Sequence, residues 1–67
     1  MAMNGEERQN QELMKICVEE FSRIQSYMKL CEKDSKAYEA MKTRYIELKV
    51  ILTAISVNIS QLDFIKE

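Results

Sequence analysis

The sequence predicts an all-α fold, a two-helix antiparallel hairpin with coiled-coil-like packing. Two runs of apolar residues are spaced alternately by three and four positions, and this heptad spacing places one apolar stripe along each of two helices. Proline is absent and the single glycine is Gly5, so no strong helix-breaking residue follows it. Residues 32–36, between the two runs, are all polar and indicate a turn.

The first predicted helix covers residues 6–32, after a segment, 1–5, that we expect to be flexible. Together, residues 6–67 are predicted to form a single helical-hairpin domain. The first apolar stripe consists of Met14, Cys17, Phe21, Ile24, Met28 and Cys31. Polar and charged residues occupy the opposite side, as in an ordinary amphipathic helix. We therefore expect one side of this helix to pack against the second.

A tight turn is predicted at residues 33–35, with Asp34 or Ser35 as the N-cap of the next helix. The two stripes differ in register by three residues, which favours a break in the helix between them. One continuous helix with a local stammer is the alternative, since such a shift can be absorbed without a turn. The lack of a glycine near this position supports that alternative.

The second predicted helix covers residues 35–65 and has the stronger pattern. Its stripe is uninterrupted and consists of Tyr38, Met41, Tyr45, Leu48, Leu52, Ile55, Ile59 and Leu62. No charged residue occurs from Val50 to Leu62, and a helix that is apolar on most sides is normally buried on most sides. A membrane span needs roughly 20 apolar residues. This shorter run includes polar residues, so we expect no transmembrane segment.

Apolar residues outside the second stripe predict a homo-oligomer. One neighbouring helix can cover only one stripe, so the other apolar side chains require a further surface. A homodimer that forms a four-helix bundle is the simplest closed arrangement, although a higher oligomer is also compatible. The predicted interface consists of Val50, Ile51, Val57, Phe64 and Ile65. Asn58 is expected to be a buried polar residue that fixes the register of this interface.

Residue types that support catalysis are scarce in this chain. Histidine is absent, the only glycine lies near the N-terminus, and two cysteines cannot form a four-ligand zinc site in one chain. We therefore expect no enzyme activity, no metal and no cofactor. Ten Lys and Arg against eleven Asp and Glu give a net charge of −1, which argues against nucleic-acid binding.

A basic edge on the second helix leaves one ligand-binding alternative open. Lys42, Arg44 and Lys49 lie close to Tyr45 in sequence, and such a group could hold a phosphate and stack a base. In this alternative the protein is an oligomeric binder of a small anionic ligand or nucleotide at subunit interfaces. The more ordinary interpretation is solvated charge beside the apolar stripe.

The leading functional prediction is a small noncatalytic protein–protein interaction module or regulator, of the kind that phages and mobile elements encode. Its expected partners are a second copy of the chain and a separate protein. We expect a cytoplasmic location with reduced cysteines, because the N-terminus lacks the apolar segment typical of a signal peptide. The short length, the missing catalytic residues and the surplus apolar surface support this prediction.

Overall fold

Two α-helices form an antiparallel hairpin, and the chain then folds back over it. The computed structural model describes the backbone of residues 5–67 and the side chains from residue 11 onward. Helix α1 is Gly5–Lys29 and helix α2 is Lys36–Ala54, and no strand occurs in the described range. The predicted all-α hairpin is therefore confirmed. Of the segment 1–5 that we expected to be flexible, all but Gly5 lies outside the described residues.

The two helices pack along the predicted stripes. The rings of Phe21 on α1 and Tyr45 on α2 meet edge to face, with centroids 5.4 Å apart. All of the buried apolar side chains of the core belong to the predicted stripes: Cys17, Phe21, Met28, Tyr38, Tyr45, Leu48 and Leu52. Because burial of one large apolar side chain stabilises a fold by about 1.5–3 kcal/mol, this line of contacts holds the hairpin together.

The link between the helices covers residues 30–35, so α1 ends slightly before the predicted residue 32. The amides of Leu30 and Cys31 donate to carbonyls three residues earlier, at 3.0 and 3.1 Å, and tighten the last turn. Ser35 is the N-cap of α2, since its hydroxyl oxygen accepts the Tyr38 amide at 3.0 Å. The same hydroxyl donates to the Glu32 carbonyl at 2.7 Å. Of the two predicted caps, the chain uses Ser35.

Helix α2 ends at Ala54, well before the predicted residue 65, and that boundary prediction is wrong. The end is a Schellman motif, in which the Val57 amide donates to Leu52 at 2.9 Å and the Ser56 amide donates to Thr53 at 3.0 Å. Ser56 has φ = 67°, a left-handed conformation that costs a non-glycine residue about 1–2 kcal/mol. The helix stops because residues 55–60 are β-branched residues, serine and asparagine, which are poor helix formers.

Residues 57–67 form a C-terminal strap, which lies in one groove between the helices and runs back toward the link. The amides of Leu62 and Asp63 both donate to the Ile59 carbonyl, at 3.0 and 2.9 Å, and form a single turn. The apolar strap residues Val57, Ile59, Leu62 and Ile65 pack against the core. The strap therefore packs Val57 and Ile65, which the sequence prediction assigned to an interface with another chain, against the core of its own chain.

Asn58 does not have the predicted buried position. It is exposed, and its Oδ1 accepts hydrogen bonds from the amide and the hydroxyl of Ser60 at 3.0 and 2.7 Å. This local bonding is typical of asparagine at the start of a turn. Asn58 thus shapes the beginning of the strap, beyond the end of α2.

Replacement of Ser35 by Ala is expected to lower the free energy of unfolding by about 1 kcal/mol, because the Tyr38 amide loses its acceptor. Urea denaturation followed by circular dichroism measures the change. Ser26→Ala is the matched control, since the Ser26 hydroxyl donates only to the Ser22 carbonyl on the exposed side of α1. The control is expected to change stability by less than about 0.5 kcal/mol. Equal losses in the two variants would contradict the capping role.

Candidate functional site

Gln25 is the polar centre of the groove that holds the strap. It lies on α1 and is fully buried. Its Nε2 donates to the Leu62 carbonyl at 3.0 Å, and its Oε1 accepts the amides of Phe64 and Ile65 at 2.8 and 3.0 Å. One side chain thus provides partners for three backbone groups of a segment without regular secondary structure. Because buried polar groups need such partners, these bonds determine where the strap lies.

Tyr45 and Lys49 of α2 hold the middle of the strap through Asp63. The Tyr45 hydroxyl donates to Asp63 Oδ1, and the Lys49 ammonium lies 3.1 Å from Oδ2. The Lys66 amide also donates to Oδ1, at 2.9 Å. The side chain of Asp63 is largely enclosed, so its carboxylate is held by charge-assisted bonds away from bulk water.

These contacts shift the pKa values of both partners. Burial opposes ionisation of Asp63, but the hydrogen bonds from Tyr45, the Lys66 amide and Lys49 outweigh it and hold the Asp63 pKa below its ordinary value. Burial raises the pKa of Tyr45, and its hydrogen bond to Asp63 acts in the same direction. At neutral pH, Asp63 is therefore a carboxylate and Tyr45 a neutral donor.

Glu67 is the last anchor of the strap. The Tyr38 hydroxyl donates to its Oε1 at 2.9 Å, and the Lys42 ammonium lies 3.9 Å from Oε2. The hydrogen bond from Tyr38 and the charge of Lys42 hold the pKa of Glu67 below its ordinary value. Backbone contacts add to this, since the Glu67 amide donates to the Tyr45 hydroxyl at 3.2 Å and its carbonyl accepts from Lys49 at 3.1 Å.

The other side of the hairpin presents apolar side chains away from the strap. Leu13, Ile16 and Tyr27 of α1 are 47%, 59% and 52% exposed, and their spacing places them on one side of the helix. The adjoining side of α2 contributes three partly buried residues that also pack against the core, Met41, Ile51 and Ile55. We call these six residues the open face.

An ion pair joins the two helices within the open face. Arg44 Nε lies 2.7 Å from Glu20 Oε1, and the same guanidinium lies 3.7 Å from Glu47. Arg44 precedes Tyr45 by one residue, a rotation of about 100° around α2, which places it on the side away from the strap contacts. The hydrogen bond from Arg44 lowers the pKa of Glu20. The open face thus combines apolar side chains with the Arg44 guanidinium and its two carboxylate partners.

The residues predicted as an oligomer interface do not form one surface. Val50 is exposed on α2, whereas Phe64 is exposed on the strap, beneath the Lys29 ammonium at 4.8 Å from the ring centroid. The other three, Ile51, Val57 and Ile65, are partly buried against the core of the same chain. The five residues do not share one surface because α2 ends at Ala54, before Val57, Phe64 and Ile65. Self-association through these residues stays a prediction, and one of them, Ile51, also belongs to the open face.

The residues predicted as anion contacts are already bonded to carboxylates of the same chain. Lys42 pairs with Glu67, Arg44 with Glu20, and both Tyr45 and Lys49 with Asp63. An incoming anion would therefore compete with these carboxylates. The Tyr45 ring is also fully buried, so it offers no free surface on which a base could stack. Anion binding stays a prediction that these contacts disfavour.

Three anchors of the strap were not found from the sequence: Gln25, Asp63 and Glu67. Gln25 flanks the first stripe, at a position where exposed glutamine is common, and its partners are 37 to 40 residues away. The available signal was the run of poor helix formers at residues 55–60. That run predicts an early end of α2 and a return of the chain, and hence polar contacts between the strap and the hairpin.

No protein-family model, curated protein or solved structure matches this chain. Within the described residues, no group of three or more Cys, Asp or Glu side chains is placed to hold a metal ion. Over the same part of the chain, neither helix is long and apolar enough to cross a membrane. Cys17 and Cys31 are both free thiols.

Gln25→Met is expected to loosen the strap, because methionine has a similar shape but cannot bond the three backbone groups. With a net value near 1 kcal/mol for each hydrogen bond, the loss of stability is about 2 kcal/mol or more. Hydrogen exchange should show faster exchange of the Phe64 and Ile65 amides than in the wild type. Gln11→Met, at an exposed position of α1, is the control and should leave these rates unchanged. Unchanged rates in Gln25→Met would contradict the anchoring role.

Acid is expected to weaken the strap. The folded-state pKa values of Asp63 and Glu67 lie below the ordinary values of 3.8 and 4.5, so the folded chain binds these protons more weakly than the unfolded chain. The stability from these carboxylates is present above their ordinary pKa values and is lost as the pH falls through the lowered values. Urea denaturation midpoints at a series of pH values measure this loss.

Asp63→Asn is the informative comparison for the acid titration. It is expected to be less stable than the wild type at neutral pH, because the ion pair with Lys49 is lost. Its stability should fall less steeply in acid, because one titrating carboxylate has been removed. Glu20, whose pKa is also lowered, contributes equally to the pH dependence of stability in both proteins. Parallel pH curves for the two proteins would contradict the role of Asp63.

Proposed function

We propose that this protein is a small noncatalytic interaction module that works as a homo-oligomer, with the open face as its contact surface. The observation that carries the proposal is the exposure of Leu13, Ile16 and Tyr27 on one side of α1, each about half accessible. Contiguous apolar surface rimmed by polar residues is typical of protein–protein contacts. The strap covers one groove of the hairpin, and this surface lies on the other side.

The chemistry of the open face fits a helical partner. A shallow apolar surface between two helices accepts the apolar side of another helix, whose contacts recur every three or four residues. A second copy of the chain supplies such a helix, because a two-fold axis brings the open faces of the two copies into contact. Tyr27 suits such a contact, because tyrosine combines a large apolar ring with a polar end.

The same face supports a regulatory role through a separate protein. An amphipathic helix of a partner could replace the second copy on the open face, since both present the same apolar spacing. Binding to a partner would then compete with self-association. We also propose a cytoplasmic location, which the free thiols of Cys17 and Cys31 support because reducing compartments keep cysteines unpaired.

Ile16→Asp is expected to shift the protein toward the monomer mass of 7.9 kDa, because an oligomer would bury an unpaired carboxylate at the open face. Light scattering at micromolar concentrations measures the mass. Val50→Asp is the matched control, since Val50 has similar exposure, 64% against 59%, and lies outside the open face. It is expected to leave the mass unchanged.

Two outcomes would contradict the proposal. If Val50→Asp dissociates the oligomer and Ile16→Asp does not, the interface lies on the side of α2 that includes Val50. A monomeric wild-type protein at all accessible concentrations would contradict the homo-oligomer. Val57→Asp is unsuitable for this purpose, because Val57 is partly buried against the core and the change would destabilise the single chain.

A further inference from the structure

We propose that the strap exchanges between two copies of this chain, so that residues 57–67 of each copy fill the groove of the other. The contact is a domain swap, in which the same bonds form between chains instead of within one chain. It is separate from the open face and adds a second mode of self-association. The occupant of the groove is therefore the strap of a second copy.

The groove is complementary to the strap in shape, hydrogen bonding and charge. Gln25 bonds three backbone groups of the strap, and these bonds position it lengthwise. The basic residues Lys42 and Lys49 of the hairpin meet the acidic residues Glu67 and Asp63 of the strap. Each of these contacts joins the hairpin to the strap. None of them requires the two segments to belong to the same copy.

Ser56 is the hinge of the exchange. Helix α2 ends at Ala54, and Ser56, which directly precedes the strap, adopts φ = 67°, a region that is strained for a residue with a β-carbon. A short hinge under strain favours domain swapping. Opening the hinge lets Ser56 leave the left-handed region, while the strap keeps its contacts in the groove of the other copy. The strain therefore raises the free energy of the closed monomer and not that of the exchanged dimer.

The test compares Ser56→Gly with Ser56→Ala. Glycine adopts positive φ without strain, so Ser56→Gly should favour the closed monomer and lower the dimer association constant by about tenfold or more. Alanine keeps the β-carbon and the strain, and Ser56→Ala should dimerise within about threefold of the wild type. Sedimentation equilibrium up to millimolar concentrations measures both constants. Equal association of the glycine variant and the wild type, or a monomeric wild type throughout, overturns the exchange.

A second measurement identifies which groove holds the strap. Isotope-labelled and unlabelled copies are mixed in urea and refolded together at high concentration. Intermolecular NOEs between the Tyr45 ring of one copy and the Glu67 amide of the other are expected, since this amide donates to the Tyr45 hydroxyl at 3.2 Å. A dimer with only intramolecular NOEs between these groups overturns the exchange. Dimer loss in Ile16→Asp reports on the open face, whereas dimer loss in Ser56→Gly reports on the exchange.

Discussion

Tyr45 connects all three segments of the chain, and the rest of the fold depends on its burial. Its ring packs against Phe21 and so joins α2 to α1. Its hydroxyl donates to Asp63 and accepts the Glu67 amide, which joins both helices to the strap. A buried hydroxyl needs hydrogen-bond partners. The strap supplies them, so the packing of the hairpin and the return of the chain depend on each other.

This arrangement also addresses the difficulty of folding a short chain. Two helices of this length bury a single line of side chains, and a core of this size is only marginally stable. The strap forms a third layer, and its apolar residues Val57, Ile59, Leu62 and Ile65 enlarge the core. The polar bonds of Gln25 determine which strap residues face inward.

The strap makes the two sides of the hairpin different. On one side, the groove is filled and its lysines are paired with carboxylates of the same chain. On the other side, Leu13, Ile16 and Tyr27 stay exposed beside a helix-bridging ion pair. This asymmetry is the structural basis of the proposed function. It favours the apolar surface of α1, and not the basic edge of α2, as the contact surface.

The sequence by itself determined the hairpin and its core. Heptad spacing identifies the stripes from which every buried apolar side chain of the core comes, because that spacing puts side chains on one side of a helix whatever surrounds it. The polar link and the capping role of Ser35 are local as well, since the bond to the Tyr38 amide spans three residues.

Only the tertiary structure decided where α2 ends and where the strap lies. Ile55, Ile59 and Leu62 have spacing that fits a longer helix, yet these residues also fit a strap that turns once and packs on the core. The choice depends on poor local helix propensity together with bonds to Gln25 that span 37 to 40 residues. Bonds between positions so far apart in the chain leave no recognisable pattern in the local sequence, because neither partner residue is unusual within its own segment.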